Sequence, residues 1–285
     1  MTVIVTKQQI AEAAGKAALC DYTYFRDTSV PPPNGWRVVC TSNDVLQGER
    51  SFFGALYAKT DAETGKTDYT IAFRGSDGND LKSNFMIAVG GLPSQFKDAY
   101  DFVKLAAQRA GIETKDITLT GHSLGGYLAR TVARVLDVKK VFAFSSPGPS
   151  KEIRAQLEKI APNALPNDKV IHIRSKNDII GLWGSQERNT LELDTKKHHH
   201  AVKNIRKHLA ILSGEVPDPA LVHRRAGFLE RVFNAVSKPL ADGLRLFRAL
   251  KKLGQYTGNQ PPRPAAETIL PRAALQSSPP RAAYA

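Results

Sequence analysis

The sequence predicts an α/β protein with a mostly parallel central sheet that helices cover on both faces. Beyond about residue 67, short apolar and β-branched runs alternate with amphipathic segments of helical period. Strands that alternate with helices in this way form βαβ units, whose strands are parallel. In addition, residues 117–126, ITLTGHSLGG, pass from a strand pattern through a Gly-rich turn directly into a helical pattern. A chain of 285 residues is long enough for one large α/β domain and an appendage.

The first elements precede the alternating part. A capping box is matched by the four residues Thr6, Lys7, Gln8 and Gln9. It predicts that an Ala-rich helix begins here and continues to about Cys20. Strands are predicted at residues 36–40, 51–59 and 67–73, the last two joined by a polar turn at residues 61–66.

The alternating part then follows in order. Beyond the helix after the Gly-rich turn, the predicted helices are residues 95–110, 151–160 and 201–213. The predicted strands are a strand that begins at Ile117, residues 140–144, residues 169–174 and a short strand at residues 190–194.

The character of the chain changes after residue 213, which predicts three parts. Residues 1–213 form the α/β domain, residues 214–255 a basic amphipathic helical extension, and residues 256–285 a Pro- and Ala-rich disordered tail. The extension either covers an apolar flank of the α/β domain or docks on a membrane.

The charge favours an acidic partner. The formal net charge is +13, and residues 214–285 hold 11 Lys and Arg against 5 Asp and Glu. Nucleic acid and an anionic membrane surface both fit such a balance. Because the sequence has no base-reading motif or zinc finger, we expect a membrane surface and no nucleic acid, and no motif identifies a protein partner.

The compartment is only partly constrained. No window holds 18 apolar residues, and no cleavable signal pattern is present. We therefore expect a protein made in soluble form, either cytoplasmic or exported without a cleavable signal, with peripheral membrane contact. Cys20 and Cys40 are expected to be buried thiols, because they lack the spacing of metal ligands.

The Gly-rich turn matches the G-x-S-x-G nucleophile elbow, with Ser123 as the candidate nucleophile. On a sharp strand-to-helix turn, the positions two residues before and two residues after the serine have no room for a side chain. Gly121 and Gly125 occupy these positions. The free N–H of Leu124 at the helix start suits an oxyanion. His122 is expected to point away from the serine side chain. The alternative is a Gly/Ser-rich turn without chemistry.

A serine nucleophile needs a histidine base and a carboxylate that orients the histidine. After a nucleophile elbow, the chain order is serine, then acid, then histidine. Asp178 lies just beyond the strand at residues 169–174 and is the predicted acid; the alternative is a loop residue in an Asx turn. The run His198, His199 and His200 opens the next helix, and one of these rings is expected to face Ser123. A solvated loop or an incidental metal binder is the alternative.

A second oxyanion donor is predicted from the segment FRGS, residues 73–76. There a strand ends at a glycine, which frees the backbone to turn so that the N–H of Ser76, and its hydroxyl, can face the nucleophile. The alternative is an ordinary strand exit.

Together, FRGS, ITLTGHSLGGYLA, VFAFSSPGP and IHIRSKND resemble the class 3 lipase family, and within it the bacterial lipase and phospholipase-like branch. The resemblance covers about residues 37–213 and implies an α/β-hydrolase fold, ester hydrolysis through an acyl-enzyme and Ser76 as oxyanion donor. The family's pattern around its base is best matched from His200, which favours this histidine over its two neighbours, although Ile205 replaces the usual tyrosine. Residues 85–92 resemble a lid; a buried helix is the alternative.

The sequence thus predicts a serine hydrolase that cleaves carboxylic esters of lipids, with anionic phospholipids favoured over small soluble esters, and that needs no metal or organic cofactor. A thioesterase, an esterase for small substrates or an acyltransferase could use the same triad. A noncatalytic membrane-binding protein with a vestigial elbow is the alternative from another class.

Overall fold

The computed structural model describes residues 6–25, 30–48, 51–76, 92–93, 95–161, 169–185, 187, 189–195 and 199–214. The predicted extension and tail, His198, and all of the predicted lid except Leu92 lie outside these residues, apart from Gly214 at the start of the extension. In the part of the chain that the structure covers, no helix is long and apolar enough to cross a membrane.

The described residues contain seven strands and seven α-helices. The strands are β1 (Arg37–Thr41), β2 (Gly54–Thr60), β3 (Thr67–Phe73), β4 (Ile117–His122), β5 (Lys140–Phe144), β6 (Val170–Ser175) and β7 (Asn189–Leu193). The helices are α1 (Lys7–Thr23), α2 (Ser42–Val45), α3 (Gln95–Ala110), α4 (Leu124–Val132), α5 (Lys151–Ile160), α6 (Ile179–Leu182) and α7 (Val202–Ser213).

All seven strands form one sheet in sequential order. β1 and β2 pair antiparallel, as do β2 and β3, whereas every pair from β3 to β7 is parallel. This confirms the predicted α/β fold with a mostly parallel sheet. Because right-handed crossovers between strands added in one direction place their helices on one face, the other face must be covered by elements from outside the crossovers.

Different helices pack on the two faces of the sheet. The side chains of β5 show this, because successive side chains of a strand point to opposite faces. Val141 and Ala143 of β5 pack in one apolar cluster with α3 and α4. Phe142 and Phe144 pack in a second cluster with α1 and α7. Helices from the two ends of the described chain therefore cover the face that the crossovers leave open.

The helix α1 begins as the sequence predicts. The Thr6 side chain accepts a hydrogen bond from the Gln9 N–H, and the Gln9 side chain accepts one from the Thr6 N–H, which confirms the capping box. The helix continues to Thr23, three residues beyond the predicted end. This extra length carries its C-terminus to the edge of the sheet where the parallel strands end.

Candidate active site

Ser123 lies on a strained turn between β4 and α4. Its φ of 57° and ψ of −124° are rare for a residue with a side chain. Two backbone hydrogen bonds hold the turn: the Ser123 N–H donates to the Phe144 carbonyl over 3.0 Å, and the Tyr127 N–H donates to the Ser123 carbonyl over 3.1 Å. The backbone of the neighbouring strand thus fixes the serine beyond the carboxyl end of β4.

The glycines around Ser123 are required by close backbone contacts. A Cβ atom at Gly121 would lie 2.2 Å from the carbonyl carbon of Gly125, and one at Gly125 would lie 2.1 Å from the carbonyl oxygen of Phe73. A Cβ atom at Gly126 would lie 2.5 Å from Cβ of Ser146. The third of these contacts was not anticipated, because Ser146 follows another strand and its position depends on the sheet.

The structure brings Ser123, Asp178 and His200 together. Nε2 of His200 lies 3.0 Å from Oγ of Ser123, and its Nδ1 lies 3.1 Å and 3.2 Å from the two carboxylate oxygens of Asp178. All three residues are buried. Because an ionised carboxylate only accepts hydrogen bonds, Nδ1 of a neutral His200 carries the proton and Nε2 accepts from the serine hydroxyl.

Asp178 is held by the backbone and stays ionised. It is the N-cap of α6, where its Oδ1 accepts a hydrogen bond from the Ile180 N–H over 3.0 Å. Burial raises the pKa of Asp178, but the electrostatic attraction of the His200 ring and its hydrogen bond outweigh this effect, so the pKa lies below its usual range. A buried carboxylate of this kind can keep one tautomer of the histidine in place.

The neighbouring histidine, His199, contacts the hydroxyls of Ser175 and Thr195. Nδ1 of His199 lies 3.1 Å from Oγ of Ser175 and 3.4 Å from Oγ1 of Thr195. Of the two histidines of the run that the structure describes, His200 is therefore the one that contacts Ser123.

The loop that follows β3 packs directly against the elbow. A Cβ atom at Gly75 would lie 2.7 Å from the His122 carbonyl oxygen and 3.3 Å from Cβ of Ser123, so the close approach of the two segments depends on this glycine. The next residue, Ser76, has a buried hydroxyl oxygen without a hydrogen-bond partner among the described residues. Leu124 is the first residue of α4, and both predicted oxyanion donors thus belong to segments that adjoin Ser123.

A buried arginine that the sequence did not indicate connects the loops around the site by hydrogen bonds. Arg130 of α4 is fully buried and donates hydrogen bonds to the carbonyl oxygens of Pro147 and Ser185 over 2.9 Å and 2.8 Å. It also contacts Oε1 of Glu187 over 3.1 Å, as Arg134 does over 3.2 Å. The loop after β5 and the segment after α6 are therefore anchored to the elbow helix. No local sequence pattern distinguishes this arginine from a surface residue of the helix.

The contacts of two further residues near the site, His122 and Tyr24, were not anticipated. His122 is buried and hydrogen-bonded to the backbone of His200 and to the hydroxyl of Tyr24, which directly follows α1. No local sequence pattern indicates these contacts, because they join residues that are 78 and 98 positions apart. Among the described residues, no group of three or more His, Cys, Asp or Glu side chains could hold a metal ion.

Comparisons with solved structures give partial similarities. The chain is similar to the extracellular lipase LipA of Serratia marcescens, with 16% identity and a TM-score of 0.40 over 70% of this chain and 44% of that one, so it spans less than half of that lipase. It is also similar to the carboxylesterase EstE1 from a metagenomic library, with 11% identity and a TM-score of 0.33 over 75% and 97% of the two chains. The hyperthermophilic esterase of Pyrobaculum calidifontis matches with 12% identity and a TM-score of 0.35 over 74% and 90%.

A comparison with curated proteins found no match. A family model, in contrast, matches residues 15–181, which is more than half of the chain and includes Ser76, Ser123 and Asp178. This confirms the resemblance to the bacterial phospholipase-like branch that the sequence motifs indicate. The chain belongs to the phospholipase-like family that is defined by the Tle-like phospholipase domain.

Proposed function

We propose that the protein is a serine hydrolase that cleaves carboxylic esters of lipids, with Ser123 as nucleophile, His200 as base and Asp178 as the orienting acid. The observation that carries the proposal is the continuous chain of contacts from Ser123 Oγ to His200 Nε2 and from His200 Nδ1 to the Asp178 carboxylate. A strained serine, a buried ionised acid and a ring between them are the parts that acyl transfer needs.

The reaction has two halves. Ser123 Oγ attacks the ester carbonyl while His200 Nε2 takes the hydroxyl proton, and the same proton then passes to the leaving alcohol, which leaves an acyl-enzyme. In the second half, His200 takes a proton from water, the hydroxide attacks the acyl carbon, and the fatty acid leaves as Ser123 regains its proton. Asp178 remains ionised throughout and stabilises the imidazolium that forms in each half.

The negative charge on the carbonyl oxygen needs donors that are in place before the reaction. We assign this role to the N–H groups of Leu124 and Ser76, together with the Ser76 hydroxyl. A buried hydroxyl without a partner among the described residues supports this, because an unpaired donor has a free energy cost unless a ligand accepts its hydrogen.

We propose phospholipid as the substrate class. Membership of a phospholipase-like family supports this choice, as does the formal net charge of +13, which favours contact with an anionic membrane surface. Under this proposal residues 1–213 form the hydrolase domain, and the basic residues 214–255 bring it to the membrane as a peripheral protein.

The test compares wild-type protein with Ser123→Ala and Ser213→Ala. Ser213 is a matched control, since its hydroxyl donates to the Ala210 carbonyl at the end of α7, away from the site. Ser123→Ala should lower ester hydrolysis by about 10⁵-fold or more and abolish labelling by a fluorophosphonate, whereas Ser213→Ala should behave as wild type. Undiminished turnover by Ser123→Ala would sink the mechanism.

The substrate is identified by mass spectrometry of products from a panel of phospholipid vesicles, triglyceride emulsions, thioesters and soluble p-nitrophenyl esters. Release of fatty acid and lysophospholipid, strongest from anionic vesicles, would support the proposed class. Preference for soluble esters or thioesters, or transfer of the acyl group to an added alcohol, would replace it by one of the other reactions of the same triad.

A further inference from the structure

The histidine within the elbow contacts the backbone of the candidate base. Nε2 of His122 lies 2.6 Å from the carbonyl oxygen of His200, and Nδ1 of His122 lies 2.8 Å from the hydroxyl oxygen of Tyr24. These contacts join the end of β4, the turn before α7 and the residue that follows α1. His122 is buried, so water does not compete freely for its hydrogen bonds.

The hydrogen bonds determine which ring nitrogen carries the proton. A carbonyl oxygen can only accept, so Nε2 of His122 carries the hydrogen and donates it to His200. In the neutral ring, Nδ1 is then an acceptor, and the Tyr24 hydroxyl donates to it. The direction of donation therefore runs from Tyr24 to His122 and from His122 to the His200 backbone.

The rings are also in contact. The centroids of the His122 and His200 rings are 4.7 Å apart, with their planes inclined by 42°, and the Tyr24 ring centroid is 5.9 Å from that of His122. His122 thus touches both the backbone and the ring of His200, which limits movement of the base in two directions.

His200 needs such support because of where it lies. It is in a turn before α7, outside any helix or strand. The bond from its Nδ1 to Asp178 fixes the direction of the ring, but it does not by itself fix the distance from Nε2 to Ser123. Since His122 is bonded covalently to Ser123, its hydrogen bond to His200 links the backbone of the base to the backbone of the nucleophile.

We propose that His122 and Tyr24 are positioning residues that hold His200 within hydrogen-bond distance of Ser123. The inference rests on the proposed function and goes beyond it, because it assigns roles to two residues outside the triad. They act through His200, because a displacement of the base by about 1 Å lowers the rate of the reaction by about 100-fold.

Four variants separate this role from a general effect on folding. His122→Phe removes both ring nitrogens and keeps a planar ring, whereas His122→Gln keeps an N–H donor near the position of Nε2. Tyr24→Phe removes one hydroxyl. Tyr57→Phe is its control, because it also removes one tyrosine hydroxyl near the end of α1: the Tyr57 side chain is buried, and its hydroxyl lies 3.2 Å from Oγ1 of Thr23.

The measurement is hydrolysis of a soluble p-nitrophenyl ester by the 285-residue chain, with active sites titrated by a fluorophosphonate and Tm recorded for each variant. We expect kcat per titrated site to fall about 100-fold in His122→Phe and about 5-fold in Tyr24→Phe, with KM within about twofold of wild type. His122→Gln should recover most of the lost kcat, and Tyr57→Phe should match wild type.

The contrary outcomes are distinct. Wild-type kcat per titrated site in Tyr24→Phe and His122→Phe would overturn the inference, as would equal losses in His122→Gln and His122→Phe or in Tyr24→Phe and Tyr57→Phe. If His122→Phe does not fold, the Gln variant and the two Tyr variants decide. Failure of the proposed function is seen separately and earlier, as wild-type protein whose Ser123 neither reacts with the fluorophosphonate nor supports turnover, and it would remove this inference as well.

Discussion

Two clusters of polar groups lie at the opposite ends of the strands of the same sheet, and helix α1 or the residue that follows it contributes to each. The amino-edge cluster consists of Lys16, Asp68, Thr70 and Lys139, near the amino ends of β3 and β5. The carboxyl-edge cluster consists of Ser76, Ser123, Asp178 and His200 with the residues that hold them, Tyr24 and His122.

The amino-edge cluster is well paired. Lys16 Nζ lies 2.6 Å from Asp68 Oδ2, 2.7 Å from Thr70 Oγ1 and 4.4 Å from the centre of the Trp36 ring. Lys139 Nζ lies 3.2 Å from the other carboxylate oxygen of Asp68. A buried lysine with a carboxylate, a hydroxyl and an aromatic face around it is the kind of group that supports a fold.

The carboxyl-edge cluster holds strain instead. Ser123 and Ser145, each directly beyond a parallel strand, have φ values of 57° and 45°. The Ser76 hydroxyl is buried and has no partner among the described residues. Of the two clusters, the one with the strained serine and the unpaired hydroxyl is therefore the one where the proposed chemistry takes place, and the amino-edge cluster has the better paired groups.

The largest expected effect comes from Asp178→Asn, which tests the carboxyl edge. The amide keeps an oxygen that can cap α6, so the free energy of unfolding should change by less than about 1 kcal/mol. The orienting charge is lost and the wrong tautomer of His200 is favoured, so kcat on a soluble ester should fall about 10⁴-fold. Activity within tenfold of wild type, with Tm unchanged, would contradict the role of Asp178.

Lys16→Met tests the amino edge and should show the opposite pattern. Methionine keeps an unbranched stem but lacks the ammonium, so Asp68 loses its shorter ion pair and the Trp36 ring loses its contact with Nζ. Because Asp68 is 35% exposed and retains Lys139, we expect a loss of about 2 kcal/mol in urea unfolding, below the usual cost of breaking a fully buried pair. The value of kcat per titrated site should stay within about twofold; a tenfold loss would mean that the two clusters are coupled.

The smallest expected effect is a pH dependence that Asp68→Asn should remove. Burial raises the pKa of Asp68, but the charges and hydrogen bonds of Lys16 and Lys139 outweigh it, so the folded-state pKa lies below the unfolded value of about 3.9. Its stabilising contribution is therefore present above about pH 4 and is lost as the pH falls through the folded-state pKa.

The measurement compares the free energy of unfolding of wild type and Asp68→Asn between pH 7 and pH 3. The difference should be about 1 kcal/mol near pH 7 and should shrink below about pH 4. A difference that stays constant over this range would show that Asp68 does not titrate differently in the folded state.

Local patterns account for much of what the sequence predicted. The helices at residues 95–110 and 151–160 and the strands at residues 67–73 and 140–144 have the predicted bounds, because hydrophobic periodicity and capping act over a few residues. The elbow was recognisable for the same reason: its G-x-S-x-G pattern lies within five residues, and the contact that requires Gly121 is with Gly125 of the same turn.

Other features depend on the tertiary arrangement and left no local pattern. The sequential order of the strands was not predicted, and neither was the contact of Gly126 with Ser146. The sequence alone left three histidines as candidates, because which ring faces Ser123 depends on how the turn before α7 meets the elbow. The contacts of Tyr24, His122 and Arg130 likewise arise only when distant segments meet.

The packing of α1 against α7 over one face of the sheet has a consequence for synthesis of the chain. Ser123 and His200 are 77 positions apart, and a ribosome adds about 5–20 residues per second. The proposed nucleophile is therefore made about 4–15 seconds before its base, and the base reaches it only after α7 has been made and can close over the face that α1 partly covers. A nascent chain thus carries Ser123 before it carries the residue proposed as its base, and the proposed triad cannot assemble until synthesis has passed His200.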